Sequence, residues 1–376
     1  MITRFLQKSI EEKMFKGKVI TLLGARQTGK TTLLKLMSKN YSNTIWLNAD
    51  EYDIQEKFKN PTSTGLKALI GNAELVLIDE AQKISGIGLA LKLLVDNYPT
   101  IQIVATGSSA FELSNKLNEP LTGRKFEFQL YPIATSELNT HHSELIENRM
   151  LTHRLIFGYY PDVINNEGNE IDILKLLADS YLFRDVLMLD YIKKPEKLIK
   201  LIKALAFQVG NEVSYNEIGN LIGLDSKTVE SYIQILEKSF VIYKLSSFNR
   251  NQRNELKNGK KIYFYDNGIR NALISNFQLA EGRQDIGALW ENYLIAERIK
   301  QNEYLKRYAN SYFWRTKDGL EIDYVEEVNG VLTAFEFKWN VNKKHRITTV
   351  FSKTYGIDEV KVITPENYME FITFKV

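Results

Sequence analysis

One octapeptide constrains this chain more than any other feature. Gly24-Ala25-Arg26-Gln27-Thr28-Gly29-Lys30-Thr31 satisfies the spacing G-x-x-x-x-G-K-[ST]. An apolar run with β character, Val19 to Leu23, precedes it, and Leu33, Leu34 and Met37 follow at helical spacing. The order strand, glycine-bounded loop, helix has a physical purpose. Glycines let backbone N–H groups turn inward as an anion nest, and the helix offers its N-terminus to the same anion. Lys30 then reaches the β and γ oxygens of ATP, and the Thr31 hydroxyl ligates Mg²⁺. Gly24, Ala25, Arg26, Gln27, Thr28, Gly29, Lys30, Thr31 and Thr32 are therefore the expected nucleotide-binding residues.

A second signal lies downstream, where Leu75-Val76-Leu77-Ile78 runs into Asp79-Glu80-Ala81-Gln82. Four apolar residues ending in two acids describe a buried parallel strand whose carboxylates emerge at its C-terminal edge, where α/β sheets bind ligands. Asp79 is expected to hold Mg²⁺ through water, and Glu80 to orient and polarise the attacking water. Hydrolysis then follows, because a pure nucleotide-binding switch does not need Glu80. A third apolar run, Ile101 to Ala105, ends in Thr106-Gly107-Ser108-Ser109. Small hydroxyls there, Ser108 first among them, can sense the γ-phosphate; the alternative is that they are plain turn residues.

Composition narrows the chemistry. The 376 residues contain no cysteine and four histidines, which removes disulfide scaffolds, thiolate metal sites and cysteine nucleophiles and leaves hard cations on carboxylate oxygens. The length suggests two or three domains. The N-terminus carries Glu11 and Glu12 and lacks the apolar core of a signal peptide, and no run approaches a membrane span. A cytoplasmic protein with no membrane partner is expected.

From about Lys18 to Pro132 the residues resemble the AAA+ ATPases, and GARQTGKTTL, LIDEAQ, TGSS and LTGRKFEFQLYP are similar to a bacterial and archaeal group of ATP-binding proteins with an added C-terminal domain. The resemblance implies that Arg124 contacts phosphate, in cis or as a finger from a neighbouring subunit; otherwise it is a solvated loop arginine. The first domain is placed at 1–140.

A helical lid or connector is expected over 141–205, broken at Gly158-Tyr159-Tyr160-Pro161. Arg184 and Asp185 within it read as a solvated pair more readily than as nucleotide contacts. A winged helix-turn-helix is expected over 206–280. Two short helices meet at a glycine-containing turn, the second with Asp225 or Ser226 as its cap and Lys227, Thr228, Ser231 and Gln234 facing outward. Val241-Ile242-Tyr243 and Ile262-Tyr263-Phe264-Tyr265 read as wing strands. Residues 241–271 carry seven basic side chains against Glu255 and Asp266, net +5 against +3 for the whole chain. Such a stripe suits DNA phosphates, although Glu230 and Glu237 on the second helix oppose it and leave a packing or protein-docking module as the alternative.

Over 281–376 a helix containing Glu291 leads into strands with an Asn329-Gly330 hairpin turn. Asp323, then Glu336 and Lys338 in Phe335-Glu336-Phe337-Lys338, resemble the PD-(D/E)-x-K nuclease fold, which the same ATP-binding group commonly carries at its C-terminus. The resemblance implies that Asp323 and Glu336, with Glu291 on the helix, hold Mg²⁺ or Mn²⁺ and that Lys338 stabilises developing charge. Lys343, Lys344, His345 and Arg346 are either phosphate contacts or a solvated run. The fold class expected is α/β throughout: a P-loop parallel sheet, a helical and winged-helix middle, and a C-terminal α/β domain. The function expected is a Mg²⁺-dependent ATPase coupled to DNA binding or processing. The alternative is an ATP-switched regulator whose C-terminal domain binds a protein partner, and either reading admits a homo-oligomer.

Overall fold

The computed structural model describes residues 1–108, 120–179, 192, 194–250, 259–317, 319–341 and 349–374. Ser109, Arg184, Asp185, Arg253, Glu255, Lys257, Lys343, Lys344, His345 and Arg346 lie outside the described residues. The chain is mixed α/β and divides into two compact units, Met1–Pro132 with Lys238–Phe240, and Ile133–Glu237 with Val241–Val376.

The first unit is built on a five-stranded sheet in the order β2-β3-β4-β1-β5, with β1 Val19–Leu23, β2 Thr44–Asn48, β3 Leu75–Asp79, β4 Gln102–Gly107 and β5 Lys125–Gln129. Every neighbouring pair is parallel. The continuous apolar runs seen in the sequence are the three central strands, each buried along its whole length. Helices Lys30–Ser38 and Ile87–Asn97 bury Leu33, Leu34 and Met37, and Ala90, Leu91 and Leu94.

The second unit starts with helices, among them Leu151–Phe157, Glu170–Leu177 and Pro195–Phe207. Two helices, Tyr215–Ile222 and Ser226–Lys238, then form where the helix-turn-helix is expected. Ser214 caps the first through Glu217 N–H, and Gly223 ends it at φ +71°. Asp225 caps the second, accepting from Thr228 N–H at 2.9 Å. Gly219 permits the close crossing, since a Cβ there would lie 2.5 Å from Leu224 O.

A six-stranded sheet completes this unit in the order β11-β10-β9-β8-β6-β7, with β6 Ile242–Ser247, β7 Lys260–Phe264, β8 Asn310–Arg315, β9 Glu321–Val328, β10 Val331–Phe337 and β11 Val360–Ile363. Here the structure corrects the sequence reading. The presumed wing strands β6 and β7 pair with each other, but β6 also pairs in parallel with β8 through Ser246 and Ser247, so they extend the C-terminal sheet rather than standing free. No break in the sheet falls at 280/281. Apolar residues on both sides of that point made the continuity invisible in sequence: Phe248 packs with Trp314, Ile322, Val325, Ala334, Phe351 and Val360 in one cluster. Among the described residues no helix is long and apolar enough to cross a membrane.

Candidate nucleotide site and carboxylate cluster

The glycine loop turns as its spacing requires. Gly24 has φ +156°, and a Cβ on it would strike Leu130 O at 2.2 Å, a backbone atom that cannot move aside. Gly29 has φ +96° and immediately precedes the helix that Lys30 opens. Thr28, buried, braces the loop by donating from Oγ1 to Ala25 O at 2.8 Å. Lys30 is buried too, and its Nζ donates to Gly24 O and Ala25 O, each at 2.8 Å. Arg26 is half-buried, and Gln27 and Thr32 are exposed.

At the C-terminal edge of β3 the two acids enter one hydrogen-bonded chain. Thr31 Oγ1 donates to Asp79 Oδ2 at 2.9 Å, which joins the helix after the loop to the acidic strand. Thr106 Oγ1 donates to Asp79 Oδ1 and accepts from Glu80 N–H at 3.1 Å. Glu80 turns through φ +53°, a left-handed backbone rare for a residue with a Cβ. Its carboxylate accepts from Gln82 Nε2 at 2.5 Å and from Ser108 Oγ at 3.4 Å, and Gln82 Nε2 also donates to Ser108 Oγ at 3.0 Å. The structure thus brings Thr31, Asp79, Glu80 and Ser108 together. Thr31 and Asp79 offer paired hard oxygens beside a loop suited to triphosphate, a donor set that fits Mg²⁺. One member, Gln82, was not among the expected site residues, and Thr106, expected only as a γ-phosphate sensor or turn residue, instead bridges the two acids. For Gln82 the signal was its position, two residues beyond Glu80 on a short turn.

Arg124 is a correction. β1 and β5 run in parallel with Val19 opposite Lys125, and Val19 N–H donates to Arg124 O at 2.9 Å. Arg124 therefore stands at the start of β1, whereas the phosphate loop leaves its far end, about 16 Å on at roughly 3.3 Å per residue. Its Nε is spent on Asp96 at 2.6 Å. A contact in cis with phosphate is excluded by this placement.

In the second unit Asp323, Glu336 and Lys338 adjoin. Lys338 Nζ lies 2.8 Å from Glu336 Oε1 and 3.9 Å from Asp323 Oδ2, and Phe337 N–H donates to Asp323 Oδ2 at 2.7 Å. Glu291, on helix Ile286–Tyr304, is held by Lys261 Nζ at 3.0 Å and by Tyr263 OH. Lys261 is almost wholly buried and pairs with Glu321 as well. Burial pushes the Glu291 carboxyl up to about 7; Lys261 opposes the rise and the Asp323 charge adds to it. Burial raises Asp323 and Glu336 as well, against the pull of Lys338. The oxygens have the chemistry for a hard cation. Among the described residues no three acidic or histidine side chains are grouped to hold a metal, and two lysines already supply the compensating charge.

The basic stripe is a further correction. Lys244 pairs with Glu237, Lys260 with Glu230 and Arg270 with Asp285, and Lys261 is buried in the carboxylate cluster. Four of the seven basic side chains that looked concentrated along the sequence are thus paired with acids lying outside residues 241–271, while Arg253 and Lys257 lie outside the described residues.

Three stretches match known domain families: residues 16–139 an AAA domain, residues 148–280 a domain of unknown function (DUF8612), and residues 286–370 a domain of unknown function (DUF4143). An uncharacterised protein of Haemophilus influenzae is 26% identical over 380 residues, covering 90% of this chain and 91% of its own length. An uncharacterised protein of Methanocaldococcus jannaschii is 21% identical, over 99% and 90%. Among solved structures, a Walker-type ATPase of Pyrococcus abyssi aligns with a TM-score of 0.52 at 16% identity, covering 73% of this chain and 96% of that one. The first unit is similar to an AAA domain over residues 16–139 and shares the fold of a P-loop ATPase.

Proposed function

We propose that this protein is a Mg²⁺-dependent ATPase that engages DNA through the helix-turn-helix of its second unit. The observation that carries the ATPase reading is the continuous chain Thr31–Asp79–Thr106–Glu80, with Gln82 and Ser108 on the Glu80 carboxylate. Bound Mg²⁺ would be held by Thr31 and by Asp79, directly or through water, and would neutralise charge developing on the phosphates. The loop N–H groups and Lys30 bind and orient the triphosphate, and Glu80 holds the attacking water and receives its proton. Lys30 must leave the loop carbonyls to reach phosphate, exchanging two neutral acceptors for anionic ones. Purified protein should hydrolyse ATP with Mg²⁺, and Lys30→Ala and Glu80→Gln should each abolish turnover. A Glu80→Gln protein with the wild-type rate would remove Glu80 from its role.

The DNA reading is supported by exposed Lys227, Ser231 and Gln234 on one face of helix Ser226–Lys238. The internal pairing of Lys244, Lys260 and Arg270 favours a second reading, in which ATP switches a surface that docks a protein partner. DNA stimulation of the ATPase with a steep salt dependence separates the two. In the carboxylate cluster, Asp323, Glu336 and Lys338 support a nuclease reading by their identity and proximity. A plasmid-cleavage assay with Mg²⁺ or Mn²⁺, compared with Asp323→Ala and Lys338→Ala, decides it.

A further inference from the structure

We infer that Arg4 presets the phosphate loop and is a positioning residue for the nucleotide, an inference that rests on the ATPase reading. Arg4 precedes the helix Leu6–Glu11, 20 residues ahead of Gly24 and outside any motif. Its side chain is buried, at 8% exposure. Nη1 donates to Thr28 O and Nη2 to Tyr131 O, both at 2.7 Å. One planar fork therefore ties the crest of the phosphate loop to the residues following β5.

The Thr28 bond matters most. Peptide units are planar and trans, so a Thr28 carbonyl held by the guanidinium directs the Gly29 N–H the opposite way. Gly29 is the hinge at which that peptide turns, with φ +96°, and a Cβ built on it would meet Arg4 Nη1 at 3.7 Å. The guanidinium thus lies over the glycine immediately ahead of Lys30. The wall behind it is rigid, because Leu130 N–H donates to Leu23 O at 2.7 Å and Leu130 O packs against Gly24. Leu6 and Ile10, at 1% and 0% exposure, anchor the segment that carries Arg4 in the core of the first unit. A loop ordered in advance spares the nucleotide the entropy of ordering it. Two carbonyls on separate segments also explain the residue type, since lysine offers one compact donor group where arginine offers a fork.

The test is nucleotide affinity of the full chain, measured calorimetrically for ATP and ADP, with steady-state hydrolysis alongside. Arg4→Ala should weaken both nucleotides about tenfold or more while kcat at saturating ATP stays within about threefold, because the reacting groups are untouched. Arg4→Lys should fall between Arg4→Ala and wild type. Methylguanidinium should restore part of the affinity of Arg4→Ala and leave wild type unchanged, a response that lost packing would not give. Wild-type affinity in Arg4→Ala would overturn the inference. So would weakened binding with no rescue and a lowered melting temperature, which would mark Arg4 as a fold residue alone. A wild-type chain that binds neither nucleotide overturns the ATPase reading itself and this inference with it.

Discussion

The amide nitrogen of Gln82 lies 2.5 Å from the Glu80 carboxylate and 3.0 Å from Ser108 Oγ, so one buried side chain fixes the acid at the end of β3 and ties it to the end of β4. A carboxylate that must hold water at a fixed angle is sensitive to loss of such a donor. Gln82→Ala is expected to lower kcat about tenfold or more, with ATP affinity changed little. Steady-state kinetics beside a direct binding measurement checks this, and an unaltered kcat would show that Glu80 is held by other groups.

Thr106 bridges the two acids from the neighbouring strand, and it is fully buried. Thr106→Val keeps the shape and removes the hydroxyl, stranding one Asp79 oxygen and the Glu80 N–H. The expected cost is about 1–3 kcal/mol of stability, read from urea denaturation, together with weaker Mg²⁺ dependence of nucleotide binding. A neutral substitution would mean that water replaces the hydroxyl.

Arg124, at the opposite end of the strands from the phosphate loop, should be dispensable for nucleotide binding by a single chain. Arg124→Ala is expected to bind ATP as wild type does. If kcat falls, it should fall only at protein concentrations where chains associate, the behaviour of a finger supplied in trans. A defect that persists in monomeric protein at high dilution contradicts the placement.

Arg298 and Glu326 form a buried, two-bonded ion pair, Nε to Oε2 at 2.8 Å and Nη2 to Oε1 at 2.7 Å. Burial alone would raise the Glu326 carboxyl, but Arg298, with Asn302 and Arg307, outweighs it and holds the acid below its ordinary range. A depressed acid contributes stability that is present above its unfolded value of about 4.3 and lost as pH falls through the folded value. Chemical denaturation from pH 7 downward should show wild type losing stability in that window and Glu326→Gln losing less. At pH 7, Arg298→Met should cost up to about 3 kcal/mol, since the buried carboxylate keeps only Arg307, Asn302 and Tyr324.

The nucleotide unit was legible because its chemistry is local. Gly24 to Thr31 is one contiguous loop, and Asp79 and Glu80 end an apolar run that can only be a buried strand. Arg4 escaped notice, and the bridging role of Thr106 with it, for the complementary reason: each acts across strands, through hydrogen bonds to groups distant in sequence. Whether Arg124 could act in cis was open in sequence because a motif match carries no information on which end of a strand a residue occupies; the parallel register of β1 with β5 supplies it. The charge count over 241–271 could not foresee that four of its basic residues are paired, since Glu230, Glu237, Glu291 and Asp285 approach them only once the chain folds.

The buried Lys261 has a consequence for how such chains can be recombined. It sits on β7, before the gap between the matched stretches 148–280 and 286–370, while both of its carboxylates, Glu291 and Glu321, come from beyond it. A hybrid joined in that gap inherits an ammonium ion without its counter-charges unless the incoming segment supplies acids at both places. The tail is therefore not freely exchangeable, and the smallest piece that can be transplanted with its charges balanced includes the strand pair that follows the helix-turn-helix.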